Sequence, residues 1–140
     1  MYKILVAIRP EDAEAMRQVM GDEFELVLCT SLSEAKVALA PDVDMIACGV
    51  HFDDGRMFDL LKYAKANEAL SAIPFWGVLR DGGVLSHAIT RGIRTAMKAL
   101  GANGLFDLSR MAPLPEGQAD FGQFRALLKQ SLAGQGREEV

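Results

Sequence analysis

Residues that build covalent cross-links and metal sites are scarce in this chain. Its 140 residues include two cysteines and two histidines. The cysteines, Cys29 and Cys48, each lie in an apolar run, and no C-x-x-C spacing occurs. Because free cysteine behaves as a small buried hydrophobic residue, we expect two reduced thiols in the core and no redox or metal role.

An excess of positive charge and long apolar runs are also absent. Lysine and arginine number 15 against 19 acidic residues, which gives a formal net charge of −4. Nucleic acids and anionic membranes attract basic surfaces, so neither is an expected partner. No apolar run approaches the roughly 20 residues of a membrane span, and the one at the N-terminus is too short for a secretory signal. These absences predict a cytoplasmic protein.

The composition that remains is that of a folded globular domain. Half of the residues are apolar and 24% are charged, and the length suits one domain with a sizeable core. We expect this domain to span residues 1–133 and to be followed by a polar tail at residues 134–140.

Short apolar runs alternate with amphipathic segments along the chain. Strands are predicted at residues 3–8, 24–29, 44–50, 73–79 and 105–108. Helical periodicity follows each of them, and Ser31 with Glu34 forms a capping box before the second helix. The pattern predicts an α/β fold, a flavodoxin-like three-layer sandwich whose five-stranded parallel sheet has the order 2-1-3-4-5. The functional crevice of such a sheet lies at the carboxyl ends of strands 1 and 3.

Several short motifs carry a family resemblance. They are Lys3-Ile-Leu-Val6, Ser33-Glu-Ala35, Pro41-Asp-Val-Asp-Met-Ile46, Asp54-Gly55, Ile73-Pro74 and Gly101-Ala102. In this order and spacing the chain resembles the CheY-like receiver domain of two-component response regulators, over roughly residues 1–132. The resemblance implies a cytoplasmic module of phosphorelay signal transduction.

The phosphorylation site of that family has no counterpart at the matching positions. A receiver binds a divalent cation with an acidic pair ending strand 1 and accepts phosphate on an aspartate ending strand 3. It also uses a hydroxyl ending strand 4 and a lysine ending strand 5. The matching positions here hold Ile8 and Arg9, Gly49, Leu79 and Leu108.

These substitutions predict a degenerate, pseudo-receiver site. Carboxylates hold a hard cation and the cation offsets phosphate charge, whereas Arg9 would repel a divalent ion. We therefore expect no metal and no other cofactor. Arg9 is expected instead to pair with Asp53 or Asp54 across the crevice.

Asp53 and Asp54 also support an alternative. They follow Gly49 by four and five residues, so either one is a candidate phosphoacceptor, with Mg²⁺, if the true alignment is shifted. As residues of a loop that enters a helix, they are better explained by turn formation and capping.

An enzymatic cluster of Cys48 and His51 is not expected. Strand alternation directs the two side chains to opposite faces, and no second histidine lies near in sequence. We expect no catalytic residues.

The fourth helix carries a basic face. Arg91, Arg94 and Lys98 recur at spacings of three and four, so they share one side of the helix. A solvated surface would explain them. In receivers, however, the neighbouring face of helix 4, strand 5 and helix 5 contacts partners, which makes these residues a candidate docking surface for another signalling protein, a kinase or a second copy of the chain.

Three hypotheses follow for the function. The first is an atypical receiver that acts by protein–protein interaction without aspartyl phosphorylation. The second is a receiver still phosphorylated at Asp53 or Asp54. The third is a small-ligand sensor that uses the crevice of the same fold.

Overall fold

Five parallel strands form the single sheet of the computed structural model, which describes residues 1–79, 87–108 and 122–136. The strands are β1 (Lys3–Ala7), β2 (Glu25–Cys29), β3 (Met45–Gly49), β4 (Phe75–Leu79) and β5 (Gly104–Asp107). Their order is β2-β1-β3-β4-β5, which confirms the predicted topology. β1 and β3 are buried along most of their length, as apolar runs of a covered parallel sheet require.

A helix connects each strand to the next, and another follows the last strand. The helices are α1 (Ala13–Met20), α2 (Leu32–Ala38), α3 (Met57–Ala66), α4 (His87–Ala99) and α5 (Gly122–Gly136), and a short 3-10 turn at Pro10–Asp12 precedes α1. No helix within these described ranges is long and apolar enough to cross a membrane.

Two apolar clusters lie on opposite faces of the sheet. One contains side chains of α2, α3 and α4, among them Ala35, Leu60 and Met97. The other contains side chains of α1 and α5, among them Met16 and Leu128. The molecule is therefore a three-layer sandwich, with α2, α3 and α4 on one face of the sheet and α1 and α5 on the other.

The contact between α4 and β4 depends on a glycine. A Cβ at Gly77 would lie 2.6 Å from Met97 Cε and 2.9 Å from Leu105 Cδ1. These distances are shorter than van der Waals contact, so the absence of a side chain at Gly77 lets Met97 reach the sheet. Met97 is the buried residue of α4.

The predicted start of α2 is confirmed, whereas the end of α5 needed correction. α2 begins at Leu32, because the Ser31 hydroxyl accepts a hydrogen bond from the Glu34 backbone N–H and caps the helix as the capping box predicts. α5 continues to Gly136, beyond the predicted start of the tail. Residues 137–140 and Ser86, the expected cap of α4, lie outside the described ranges.

Candidate functional site

A small crevice lies where the carboxyl ends of β1, β3 and β4 meet. Its described lining consists of Ile8, Arg9, Asp12, Met16, Gly49, Val50, His51 and Val78. Its volume is about 20 Å³, which is space for about one water molecule. The topology thus places the crevice where it was predicted, but apolar side chains fill most of it.

Gly49 and Ile8 face each other at the centre of this crevice. β1 and β3 pair with Ala7 opposite Cys48, so the next residues on each strand, Ile8 and Gly49, are neighbours. A Cβ added to Gly49 would lie 3.4 Å from Ile8 Cγ2. Ile8 is only 2% exposed. The isoleucine side chain therefore lies in van der Waals contact with the position from which a side chain ending β3 would project.

Arg9 pairs within its own segment rather than across the crevice. Its Nε lies 2.9 Å from Asp12 Oδ2 and its Nη2 lies 3.3 Å from Asp12 Oδ1. The predicted pairing of Arg9 with Asp53 or Asp54 is wrong. The physical reason is proximity, since the 3-10 turn brings a carboxylate to the guanidinium within three residues, at little cost in chain ordering.

Leu79 and Leu108 are both buried, on opposite sides of the sheet. Leu79 is fully buried in the cluster beneath α2, α3 and α4. Leu108 belongs to the cluster beneath α1 and α5. Neither lines the crevice among the described residues, so both act as core side chains.

Asp53 contacts α2 and not the crevice. Its Oδ2 accepts a hydrogen bond of 2.9 Å from the backbone N–H of Leu32, the first residue of α2. Asp53 and Asp54 have φ values of 46° and 56°, and Gly55 follows with φ 89°. These three left-handed residues turn the chain so that Asp53 caps a neighbouring helix. Asp53 and Asp54 are absent from the described crevice lining.

The crevice does not fit a divalent cation. Hard cations require several oxygen ligands, whereas Asp12 supplies the one carboxylate of the described lining and holds Arg9. Among the residues that the structure describes, no group of three histidine, cysteine, aspartate or glutamate side chains is placed to hold a metal ion. The described side chains therefore form a small, partly apolar pocket that lacks the oxygen ligands of a cation site.

The thiols are inert by environment. Cys48 is fully buried, and desolvation raises its pKa well above the usual 9.0. Burial also raises the pKa of Cys29. Ala7 pairs with both residues, so two strand spacings, about 9.6 Å, separate their Cα atoms. That separation exceeds the reach of a disulfide, and both cysteines are free as predicted.

The three side chains of the predicted basic face are all exposed, and one of them, Arg94, is also anchored to the sheet. Arg94 Nη1 donates a 3.1 Å hydrogen bond to the Leu105 carbonyl of β5, so Arg94 ties α4 to the edge strand. Arg91 and Lys98 are exposed. Arg91 and Arg94 also line an open groove of about 250 Å³ with His87 and Thr90.

The architecture has many relatives among solved structures. The receiver domain of a DNA-binding response regulator from Colwellia psychrerythraea 34H matches with a TM-score of 0.67 and 16% identity, over 95% of this chain and 99% of that chain. A CheY-like receiver domain from Methanospirillum hungatei JF-1 matches with a TM-score of 0.68 and 13% identity, over 99% and 98% of the two chains. The chain has the receiver fold. No family model matches the sequence, and no curated protein matches it.

A third structure with the receiver fold gives a chemical contrast. The Mn²⁺-bound form of response regulator Rcp1 matches with a TM-score of 0.66 and 18% identity, over 94% of this chain and 95% of that chain. That protein holds a divalent cation. In the present chain the ends of β1 and β3 carry Ile8, Arg9 and Gly49.

Sequence reasoning missed three features of this region. The bidentate Arg9–Asp12 pair was hidden because Asp12 also suits a helix start. The Asp53–Leu32 hydrogen bond joins residues 21 positions apart, which no local pattern reports. The third feature is a groove between β2 and α2 that Val37 helps to line. In the sequence, only the position of this apolar residue on the solvent side of α2 indicated it.

Proposed function

We propose that this chain is an atypical receiver-like signal-transduction module, which acts by protein–protein interaction and is not phosphorylated on aspartate. The single observation that carries the proposal is the pair Ile8 and Gly49 at the ends of β1 and β3. A phosphoacceptor ending β3 needs a carboxylate there, whereas residue 49 has no side chain and the buried Ile8 Cγ2 lies 3.4 Å from its Cβ position.

Charge supports the same proposal. Phosphoryl transfer to a carboxylate requires cations that neutralise the phosphate oxygens. Within the described crevice lining the guanidinium is that of Arg9, and Asp12 already binds it with two hydrogen bonds. Asp53, the nearest alternative acceptor, is held by the Leu32 N–H at 2.9 Å. Phosphorylation of Asp53 would therefore break a helix cap, and no observation favours this alternative.

The docking surface of the proposed module is the exposed side of α4. Arg91 and Lys98 are exposed there, whereas Arg94 is committed to β5. A basic surface on a chain of net charge −4 suits an acidic surface of another signalling protein, such as a kinase. The interaction requires no enzymatic chemistry in this chain.

Acetyl phosphate with Mg²⁺, followed by intact mass measurement, tests the absence of phosphorylation. We expect no gain of one phosphoryl group, while a phosphorylatable receiver in the same tube gains one. A gain that disappears in Asp53→Asn or Asp54→Asn would establish the second hypothesis and overturn the proposal. Native mass spectrometry of the purified chain tests the sensor hypothesis, which a retained small molecule would support, although a crevice of about 20 Å³ leaves no room for one.

A photo-crosslinking residue introduced at position 91 tests the docking surface in the source cells. We expect a crosslink to one defined acidic protein, lost when Lys98 is also changed to glutamate. The same crosslinker at Lys62, an exposed lysine of α3, is the matched control. Equal crosslinking from both positions would refute the docking surface.

A further inference from the structure

All the basic side chains of α4 lie on one side of the helix, in a line that we call the basic row. Its members His87, Arg91, Arg94 and Lys98 recur at spacings of four, three and four residues. At about 100° per residue, these spacings place the four side chains within about 60° of one another around the helix axis, over a length of about 16 Å. No aspartate or glutamate occurs between His87 and Ala99, so no acidic residue of α4 offsets this charge.

The first two turns of the basic row line an open groove. The described lining consists of His87, Thr90, Arg91 and Arg94, and the volume is about 250 Å³. The crevice at the strand ends offers about 20 Å³, so the groove has room for a ligand that the crevice does not. Each of the four lining side chains can donate a hydrogen bond, and none is a carboxylate. These side chains suit an anion.

The two guanidinium groups of the groove keep their charge available. Within the described ranges, no carboxylate lies at ion-pair distance from Arg91 or Arg94. Arg94 Nη1 donates to the Leu105 carbonyl at 3.1 Å, which is a neutral acceptor. Because an arginine has five N–H donors, Arg94 retains others for a ligand while this bond holds its guanidinium in place. A donor that is already fixed loses less side-chain entropy on binding.

The donors of the groove match a phosphoryl group better than a carboxylate. Arg91 and Arg94 are three residues apart on a helix, so their Cβ atoms are about 5–6 Å apart and both guanidiniums can reach the same anion. One arginine satisfies a carboxylate through a bidentate pair. A phosphoryl group has three acceptor oxygens and a charge of about −1.5 to −2 at pH 7, which two guanidiniums neutralise. The Thr90 hydroxyl adds a donor for the third oxygen.

The surroundings of the groove favour a phosphorylated protein over a small phosphate compound. The described lining has no large apolar side chain on which a nucleotide base or an acyl chain would pack. Lys98 continues the basic row one turn beyond Arg94 and is exposed. Acidic residues that neighbour a phosphorylated residue in a protein segment would reach this lysine.

We propose that the groove binds the phosphoryl group of a phosphorylated side chain on the signalling partner. Arg91, Arg94 and Thr90 donate to the phosphoryl oxygens, and Lys98 pairs with an acidic residue of the same segment. The binding is non-covalent and leaves the phosphoryl group on the partner. This inference rests on the docking surface proposed above and names the chemistry of its partner. The chain thereby recognises a phosphorylated protein without being phosphorylated itself.

NMR titration of the ¹⁵N-labelled chain with a pair of synthetic peptides tests the groove. One peptide carries a single phosphoserine followed by glutamates, and the other is the same peptide without the phosphoryl group. We expect the phosphopeptide to bind at least about tenfold more tightly, because charge-assisted hydrogen bonds form to the phosphoryl oxygens. The amide signals of residues 90–94 should shift most. Equal affinity for the two peptides would overturn the proposal.

Substitution of Arg91 tests whether the groove accounts for this preference. Arg91→Gln should weaken binding of the phosphopeptide by at least about tenfold and leave the thermal midpoint unchanged, since Arg91 is exposed. Arg17→Gln is the matched control, because Arg17 is an exposed arginine of α1, on the opposite face of the sheet. The control should bind as wild type does. Equal losses in the two variants would show general charge attraction and would also overturn the proposal.

Inorganic phosphate at equal ionic strength distinguishes the source of the phosphoryl group. We expect it to bind the groove more weakly than the phosphopeptide, because it lacks the acidic residues that reach Lys98. Equal affinity would assign the groove to free phosphate and refute a protein ligand. The docking surface itself is tested separately: a crosslinked partner from position 91, together with equal affinity for the two peptides, would retain that surface and refute the phosphoryl group as its ligand.

Discussion

Ile8 and Gly49 together determine what the crevice can accept. The isoleucine packs on β3 with its Cγ2 at 3.4 Å from the Cβ position of Gly49, a distance of ordinary van der Waals contact. A methyl group at position 49 therefore fits, whereas a carboxylate would lie among Ile8, Met16 and Val78. Burial of a polar group without a matched partner is unfavourable, so charge is excluded here by packing.

Substitutions at Gly49 test this exclusion. We expect Gly49→Asp to lower the free energy of unfolding by about 1–3 kcal/mol, because the carboxylate loses hydration while Asp12 retains Arg9. Gly49→Ala should change it by less than about 1 kcal/mol, since alanine favours an extended backbone more than glycine does. Urea unfolding measures both. A Gly49→Asp variant as stable as wild type would show that the crevice tolerates a carboxylate.

Substitution of Asp53 tests how much its hydrogen bond with the Leu32 N–H contributes to the free energy of unfolding. Asp53→Ala removes the acceptor of the Leu32 N–H and should cost about 1 kcal/mol more than Asp54→Ala. Asp54 is the matched control because both residues have positive φ, so both alanines carry the same backbone strain. Hydrogen exchange at the Leu32 amide should accelerate in the Asp53 variant only. Equal unfolding energies for the two variants would contradict a capping role.

Of the five positions predicted for the degenerate site, Ile8, Arg9 and Gly49 line the crevice, because the carboxyl ends of adjacent parallel strands meet there. Leu79 and Leu108 are core side chains, and the degenerate character of the site stays a prediction. The partner of Arg9 was wrong, since a local carboxylate at Asp12 outcompeted a distant one. The role of Asp53 was not predictable, because it depends on how the β3–α3 loop approaches α2 in space.

At the scale of elements, α5 is tied to the end of α1 by a charged cluster. Glu23 accepts a hydrogen bond from Lys129 Nζ, and Arg125 Nε lies 2.8 Å from Glu23 Oε2. Arg125 Nη1 also donates to the Val19 carbonyl at 2.7 Å, which satisfies a free carbonyl at the helix end. One acidic residue thus joins two helices that are distant in sequence.

The pH dependence of stability reports this cluster. Hydrogen bonds from Lys129 and then Arg125 lower the pKa of Glu23 below its usual 4.5. The stabilisation is therefore present above pH 4.5 and is lost as the pH falls through the lowered value. We expect Glu23→Gln to lower the thermal midpoint near neutral pH and to match wild type in acid. Asp22→Asn is the control, and a gap between Glu23→Gln and wild type that persists in acid would contradict the cluster.

Element existence and order were predictable, and element packing was only partly so. Apolar runs bounded by proline and glycine marked all five strands, and the capping box marked α2. On α4 only Met97 is buried, and Ile89 is 53% exposed. The periodicity of apolar residues shows that a helix has an apolar side. It does not show how much of that side will be buried against the sheet.

For the whole molecule, a receiver fold whose described crevice lining offers one carboxylate, already paired with Arg9, should be indifferent to Mg²⁺. A cation site with a Kd of roughly 1 mM would raise the free energy of unfolding by about 1.4 kcal/mol at about 10 mM Mg²⁺. We expect no shift of the thermal midpoint beyond that caused by NaCl of equal ionic strength. A specific rise with Mg²⁺ would show a cation site and would contradict the pocket described above.

The packing of Ile8 on Gly49 also bears on how such a module would carry information. A domain whose central pocket can be reversibly modified can be switched on and off while the number of its copies stays constant. A pocket that presents an aliphatic side chain instead has no group that could accept such a modification. The signal would then depend only on the amount of the chain. Synthesis and degradation, rather than covalent modification, would set its strength and duration.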